Sequence, residues 1–251
     1  MRARITAYAG VQLRDYFVAR MPLIVMATVA AAWAYAAANG LTMAAFDASA
    51  GIEGRAELQR AFQVLLATFA FIAASVAAHG LVARDRRRGY DRVIFSRPLD
   101  PVRYYTQGFV LAGVAGALLG AAAADVYAVA VHPVSVLGAA AYIGLAWLTI
   151  GGLAFALSTV TRFHLPLLVL LLSADFALDR YATSLRASGA GNAVIDLARY
   201  LLPPGHVVAS LSEPFSRGFT FDGRVLIWPL AFGVACFVAA LVLLRRRPFG
   251  S

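Results

Sequence analysis

Residues 84–108 read RDRRRGYDRVIFSRPLDPVRYYTQG and lie between two long apolar runs. This stretch contains seven of the chain's arginines against three aspartates, so it cannot sit in hydrocarbon or be moved easily across it. The sequence therefore predicts a cytoplasmic loop. Within it, Val93, Ile94 and Phe95 form a short apolar stretch, and Pro98 breaks the chain before the next apolar run. An apolar centre ringed by charge is typical of a docking element.

The composition is that of a multi-pass membrane protein. Of the 251 residues 61% are hydrophobic and only 14% are charged, and several apolar runs approach the roughly 20 residues of a transmembrane helix. Net charge is +9, and all 22 basic residues are arginine. The arginines lie beside predicted membrane ends, which indicates topology signals and phospholipid contact rather than nucleic-acid binding. The single cysteine, Cys236, lies in an apolar run, which excludes an internal disulfide and a cysteine metal cluster.

The chain contains no lysine. A phosphate-binding loop of the type G-x-x-x-x-G-K-[ST] needs its lysine to reach the terminal phosphates of a nucleotide, so any ATP hydrolysis must belong to another polypeptide. The four histidines lack the spacing or the cysteine partners of a metal site, and no nucleophile motif is present. We therefore expect no catalytic, cofactor-binding or metal-binding residue, and we do not expect an enzyme.

The apolar runs predict an all-α polytopic membrane protein with six transmembrane helices, in a single transmembrane domain over residues 1–251. The predicted spans are 22–38, 61–83, 104–131, 136–160, 165–178 and 225–244. With the amino terminus inside, the cytoplasmic segments hold 15 arginines and the outer segments hold 7, which is the direction of the positive-inside rule. Both termini are then cytoplasmic, and the expected location is the cell (inner) membrane.

Residues 1–20 are expected to form an amino-terminal interfacial helix. Leu13 and Phe17 fall on one side of that helix, and Arg4 and Arg14 fall largely on the other. The alternative is a frayed basic leader before the first span. The first span also resembles the core of a signal peptide, but the long segment before it favours a retained helix.

Two polar segments are predicted on the outer side. Residues 41–60 carry charges of both signs and indicate an ordinary loop. Residues 179–224 are too long for an ordinary connection, and their apolar middle is broken at Pro203, Pro204 and Gly205. We expect an outer re-entrant helix pair before the last span, because backbone inside a membrane needs protein cover. The alternative is a plain extracellular loop with an amphipathic helix.

Few ionisable groups fall within the predicted spans. Asp125 and Asp175 lie near the outer ends of the third and fifth spans, where we expect each to reach the headgroup layer or to pair locally. The alternative gives both carboxylates, as polar groups at the outer exit, a role in substrate release. Gly116 and Gly120 form a G-x-x-x-G spacing in the third span, which permits close approach of a second helix.

The arginine-rich loop carries an ordered motif: an acidic-Arg-x-x-Gly start, an apolar trio, a Ser-x-Pro, then an Arg-aromatic step and a glycine. The residues that form it are Asp85, Arg86, Gly89, Val93, Ile94, Phe95, Ser96, Pro98, Arg103, Tyr104 and Gly108. This motif resembles the segment between the second and third spans of ATP-binding-cassette (ABC) transporter permeases of type 2. The chain departs from that pattern in its aspartate for the usual glutamate, in one extra residue between Pro98 and Gly108, and in Phe109 where a lysine is common.

The resemblance implies that residues 84–103 are a cytoplasmic coupling loop that docks on a separate ABC ATPase subunit, where ATP and Mg are bound. The ATPase-docking residues that it implies are Asp85, Arg86, Gly89, Arg92, Val93, Ile94, Phe95, Pro98 and Arg103. The other expected partners are a second permease copy, as in a homodimer, and membrane lipid. A loop that only binds anionic lipid would explain the arginines but not the apolar trio.

The implied function is the transmembrane subunit of an ATP-driven exporter for a hydrophobic or amphipathic substrate. The alternative is a non-transporting membrane scaffold or assembly factor with the same fold. An ion-coupled carrier is disfavoured, because the predicted spans have no charge at mid-depth and the chain shows no internal repeat.

Overall fold

The apolar runs of the sequence fold as helices that pack against one another. The computed structural model describes Gly10 and residues 12–38, 52–79, 82, 85, 100–130, 133–161, 163–188, 193–220 and 222–246. Every regular element in these ranges is helical. The predicted all-α class is therefore confirmed for this part of the chain.

The α-helices of the described ranges are numbered in chain order. They are α1 (Met21–Ala38), α2 (Ile52–His79), α3 (Pro101–Ala130), α4 (Val136–Ala146), α5 (Gly152–Val160), α6 (His164–Ala187), α7 (Ala193–Leu201), α8 (Gly205–Ser210), α9 (Ser212–Ser216) and α10 (Ile227–Arg246). A π-helical turn, Tyr16–Arg20, leads into α1, and a second, Trp147–Gly151, joins α4 to α5. A 3-10 turn, Gly223–Leu226, leads into α10.

Four helical stretches are long and apolar enough to cross a membrane. They are Leu58–Val76, Pro101–Val129, Val136–Val160 and Gly223–Arg246. Large apolar side chains also remain exposed on the outside of the bundle, including Trp33 on α1, Leu118 on α3 and Leu170 on α6. Such exposed faces suit contact with lipid rather than with water.

The predicted loop 41–60 is wrong in part, since helix α2 begins inside it at Ile52. Helix α6 continues to Ala187, beyond the predicted membrane span 165–178. A fall in hydropathy marks the edge of the hydrocarbon, whereas a helix continues wherever its residues favour it or find partners. Residues 52–60 are rich in good helix formers, and Asp179 of α6 forms an ion pair with Arg199 of α7.

The amino-terminal segment is helical where the structure describes it. Residues 12–15 are helical, the π-helical turn follows, and α1 continues from it. A frayed leader is therefore wrong for residues 12–20; residues 1–9 and 11 lie outside the described part. In the π-helical turn the Met21 amide donates to the Tyr16 carbonyl five residues earlier. This wider turn comes just before Pro22, whose ring would crowd the carbonyl four residues before it in a regular helix.

Glycines allow two pairs of helices to approach closely. On α3, a Cβ atom added at Gly120 would collide with Ile143 of α4, and one added at Gly113 would lie 2.6 Å from the Trp147 ring. Of the two glycines in the G-x-x-x-G spacing, Gly120 is therefore at a close approach of α4, whereas an added Cβ at Gly116 would make only ordinary contacts. On α10, a Cβ atom added at Gly233 would lie 2.7 Å from the carbonyl oxygen of Leu148, which leaves no room for a side chain.

We predict opposite effects for alanine at two helical glycines. Gly233→Ala should lower the free energy of unfolding by about 1–3 kcal/mol, because the contact is with backbone that cannot move aside cheaply. Gly144→Ala should leave it unchanged or raise it by up to about 1 kcal/mol, because no atom lies within 4 Å of the added Cβ. Thermal unfolding of both variants in one detergent checks this, and equal shifts would contradict the packing of α10 against the π-helical turn.

Candidate functional site

The arginine-rich loop connects α2 to α3 at one end of the helix bundle, which we call the loop end. It is anchored on both sides, where it leaves the bundle and where it returns. On the entry side Val82 is fully buried, and Asp85 accepts a hydrogen bond of 3.3 Å from the hydroxyl of the buried Tyr105. On the return side Asp100 caps α3, since its carboxylate accepts from the Val102 amide at 3.0 Å. Both ends of the loop are therefore held against α3.

Two of the predicted docking residues, Asp85 and Arg103, fall within the described ranges. Asp85 is half-buried, and its hydrogen bond with Tyr105 ties the base of the loop to α3. Arg103 is exposed, and its Nε lies 3.6 Å from an oxygen of Asp100; an ion pair this exposed contributes little stability. The other predicted docking residues lie outside the described part of the chain: Arg86, Gly89, Arg92, Val93, Ile94, Phe95 and Pro98.

The amino-terminal helical segment packs against the same base. The Gln12 side chain donates a hydrogen bond of 3.3 Å to the carbonyl of Tyr104, in the first turn of α3. Tyr16 is buried, and its hydroxyl lies near Gly116 of α3. Burial raises the pKa of Tyr16 to about 12, against the opposing charge of Arg20, so the phenol stays neutral. The loop base and the amino-terminal segment therefore form one packed unit.

The short helices α7–α9 belong to the opposite end of the bundle, which we call the far end. The Ser216 carbonyl at the end of α9 accepts a 2.8 Å hydrogen bond from the Ser135 amide, just before α4. The Ser216 hydroxyl also lies 3.4 Å from the Gln63 amide nitrogen on α2. Helix α3 starts at the loop end and α4 follows it, so α4 begins at the opposite end. Helix α9, which is bonded to the start of α4, therefore lies over the far end of the bundle. The predicted helical character around the Pro203–Pro204 break is confirmed.

A chain of four polar side chains, which we call the polar chain, joins α6 to this unit. Asp175 is fully buried and accepts from the backbone amide of His206 at 2.7 Å, while its other oxygen lies 2.7 Å from His206 Nδ1. His206 Nε2 lies 3.2 Å from Arg199 Nη2, and Arg199 in turn pairs with Asp179. A neutral imidazole with its hydrogen on Nδ1 satisfies both neighbours, since Nδ1–H donates to Asp175 and Nε2 accepts from Arg199.

The polar chain lies halfway along α6. Asp175 is the twelfth of the 24 residues of that helix. Its predicted place near the outer end of the span 165–178 stays a prediction, because a helix end and a membrane surface need not coincide. The backbone at Gly205, the first residue of α8, lies close to α6. A Cβ atom added there would lie 3.1 Å from an Asp175 oxygen and 3.0 Å from the Leu172 side chain. A buried carboxylate is costly without partners, and here the His206 amide and ring supply them.

The two predicted outer-exit carboxylates have different surroundings. Asp125 is exposed on α3, whereas Asp175 is fully buried. Asp175 finds a partner inside the protein, but that partner, His206, is 31 residues away in sequence and not local. Sequence reasoning missed His206, Arg199 and Asp179. One available signal was the spacing of Asp175 and Asp179, since two carboxylates four residues apart share a helix face and need cations opposite them.

Comparisons of the chain with protein-family models, with curated proteins and with solved structures find no match. Its class therefore follows from its own features. Four apolar helices of membrane-spanning length and apolar side chains exposed around them define a multi-pass membrane protein. In the described ranges no group of three His, Cys, Asp or Glu side chains is placed to hold a metal ion.

We predict that the polar chain stabilises the fold. Asp175→Asn should lower the free energy of unfolding by about 1–3 kcal/mol, because the amide cannot accept from both donors of His206 with the strength of a carboxylate. Asp125→Asn is the matched control, and we expect it to have little effect because Asp125 is exposed. Thermal unfolding in detergent measures both variants; a stable Asp175→Asn protein would refute the structural role.

Proposed function

We propose that this chain is the transmembrane subunit of an ATP-driven ABC exporter, with ATP and Mg bound by a separate ATPase subunit. The observation that supports it best is the anchored base of the arginine-rich loop. Asp85 bonds to Tyr105, and Gln12 bonds to the neighbouring Tyr104. A push on the loop would therefore reach α3 and the amino-terminal segment together, as coupling to an ATPase requires.

Two further helices complete the proposed six spans. Helix α1 has 18 residues and α6 has 24, or about 27 and 36 Å at 1.5 Å per residue, and the hydrocarbon core is about 30 Å thick. Helix α6 carries charge, yet its two acidic groups, Asp175 and Asp179, find partners inside the protein. An internal partner is the condition under which a membrane helix tolerates a carboxylate.

The position of the polar chain supports a re-entrant arrangement of α7 and α8. His206, at the start of α8, bonds to the middle of α6 rather than to its end. If α6 spans the bilayer, the break at Pro203 and Pro204 lies inside the outer leaflet. Both prolines are buried by protein, which is the cover that irregular backbone at that depth needs.

The proposed cargo is hydrophobic or amphipathic. The exposed surfaces of α1, α3 and α10 carry aliphatic and aromatic side chains. The buried carboxylate of Asp175 is hydrogen-bonded to His206 and is not open to a cargo ion. Apolar surfaces of this kind suit a lipid-like molecule better than a free ion. One chain presents such faces on its outside, so we propose that two copies pair around the pathway. The protein lies in the cell (inner) membrane, with the amino and carboxyl termini of each copy on the cytoplasmic side.

Copurification tests the proposed ATPase partner. We expect a stoichiometric subunit with a P-loop to copurify with the chain from mild detergent, and to be lost in the double variant Arg92→Asp, Phe95→Asp. That variant reverses a charge and removes the apolar centre of the docking loop. The matched control is Arg224→Asp, Phe219→Asp, which changes an exposed arginine and an exposed phenylalanine at the far end.

Retention of the ATPase by the loop variant, or its equal loss in the far-end variant, would contradict docking at the loop. Isolation of a folded chain with no ATPase subunit at all would instead favour the scaffold or assembly function. Thermal unfolding of each variant shows whether loss of the partner reflects loss of the fold.

A further inference from the structure

A pocket of about 390 Å³ opens beside the polar chain at the far end. Its walls come from the last turns of α6 and α7, from the start of α8 and from the start of α10. The side chains that line it are Arg186, Arg199, Tyr200, His206, Val207 and Trp228. This volume lies in the range of about 300–1,000 Å³ that is usual for small-molecule sites.

One wall of the pocket is cationic and held in place. Arg199 is fixed between Asp179 and His206, and His206 is fixed by two hydrogen bonds to Asp175. Arg186, at the end of α6, adds a second guanidinium. Asp175 is bonded to that histidine and Asp179 to that arginine, and the lining residues that the structure describes include no acid. Guanidinium groups arranged in this way favour a phosphate or a carboxylate.

The other wall is aromatic and meets an apolar surface. Tyr200 and Trp228 pack edge to face with ring centroids 5.9 Å apart. Leu197 and Leu201 of α7 and Ile227 of α10 are exposed close by in sequence, with Leu201 79% and Ile227 65% accessible. Tyrosine and tryptophan are the residues that proteins place at the level of lipid headgroups, and exposed leucines beside them suit acyl chains.

We propose that this pocket binds an anionic phospholipid, with the phosphate between Arg186 and Arg199 and the acyl chains along the exposed apolar residues of α7 and α10. The inference goes beyond the proposed function, because binding requires neither the ATPase subunit nor a transport step. Bound lipid would add contacts between α6, α7 and α10 beside the Asp179–Arg199 ion pair and the Tyr200–Trp228 ring contact.

Native mass spectrometry of the purified full chain in a neutral detergent tests the site. The probes are phosphatidylglycerol, phosphatidylcholine and glycerol phosphate, the last being a headgroup without acyl chains. The wild-type chain should bind one phosphatidylglycerol in preference to phosphatidylcholine, and it should bind glycerol phosphate at least about tenfold more weakly, because the apolar contacts are then absent.

Two variants alter opposite walls of the pocket. Arg186→Gln removes a phosphate partner at an exposed position, and Trp228→Leu removes the aromatic wall; each should raise the dissociation constant for phosphatidylglycerol about five- to tenfold. The matched control is Arg217→Gln, an exposed arginine of the far end that pairs with Glu213 at 2.7 Å, and it should stay within about twofold. Thermal unfolding of all three checks that they remain folded, and either pocket variant alone suffices for the comparison.

Three results would overturn the proposal. Equal binding of phosphatidylglycerol by the pocket variants and the control would show general attraction to a basic protein. Equal affinity for glycerol phosphate and for the whole lipid would indicate a site for a free phosphate compound. Equal binding of the neutral lipid phosphatidylcholine would remove the role of the arginines. None of these results bears on copurification of an ATPase, so the two proposals fail separately.

Discussion

A bilayer penalises every charge and every backbone group that lacks a partner, and this constraint accounts for most of the arrangement of the chain. The arginines cluster in segments between and beyond the apolar runs, as at Arg245 and Arg246 at the end of α10. Asp175 of the polar chain is a charged group that does not follow this pattern, because it lies in the middle of α6. There the carboxylate is bonded by the His206 amide and ring, so the protein supplies the partners that lipid cannot.

Helix α6 connects the two ends of the molecule. At the loop end His164 is buried, with its Nδ1 3.2 Å from the Thr161 carbonyl. Halfway along, Asp175 fixes the start of α8, and at the far end Arg186 lines the pocket beside α7 and α10. A change in the tilt of α6 would therefore alter the pocket and the short helices together. In an exporter, such a helix would link movement at the cytoplasmic side to opening at the outer side.

The sequence predicted the helical class and most helix positions, because hydropathy and length are local properties. The span predicted at 136–160 agrees with the observed stretch Val136–Val160. The start of α2 and the end of α6 were missed, since helix ends outside hydrocarbon depend on partners rather than on hydropathy. The polar chain was missed for the same reason: His206 and Asp175 are 31 residues apart, and the break at Pro203 brings them together only in three dimensions.

The central claim is that the arginine-rich loop faces the cytoplasm, while the far end of the bundle, where the pocket lies, faces outward. Single-cysteine labelling tests it directly, because Cys236 is the one native cysteine and can be replaced by serine. In that background, Arg88→Cys should react with a membrane-impermeant maleimide only in inside-out vesicles, and Arg217→Cys only in intact cells or right-side-out vesicles. Labelling of both positions from one side, or of Arg88→Cys from outside intact cells, would contradict the account.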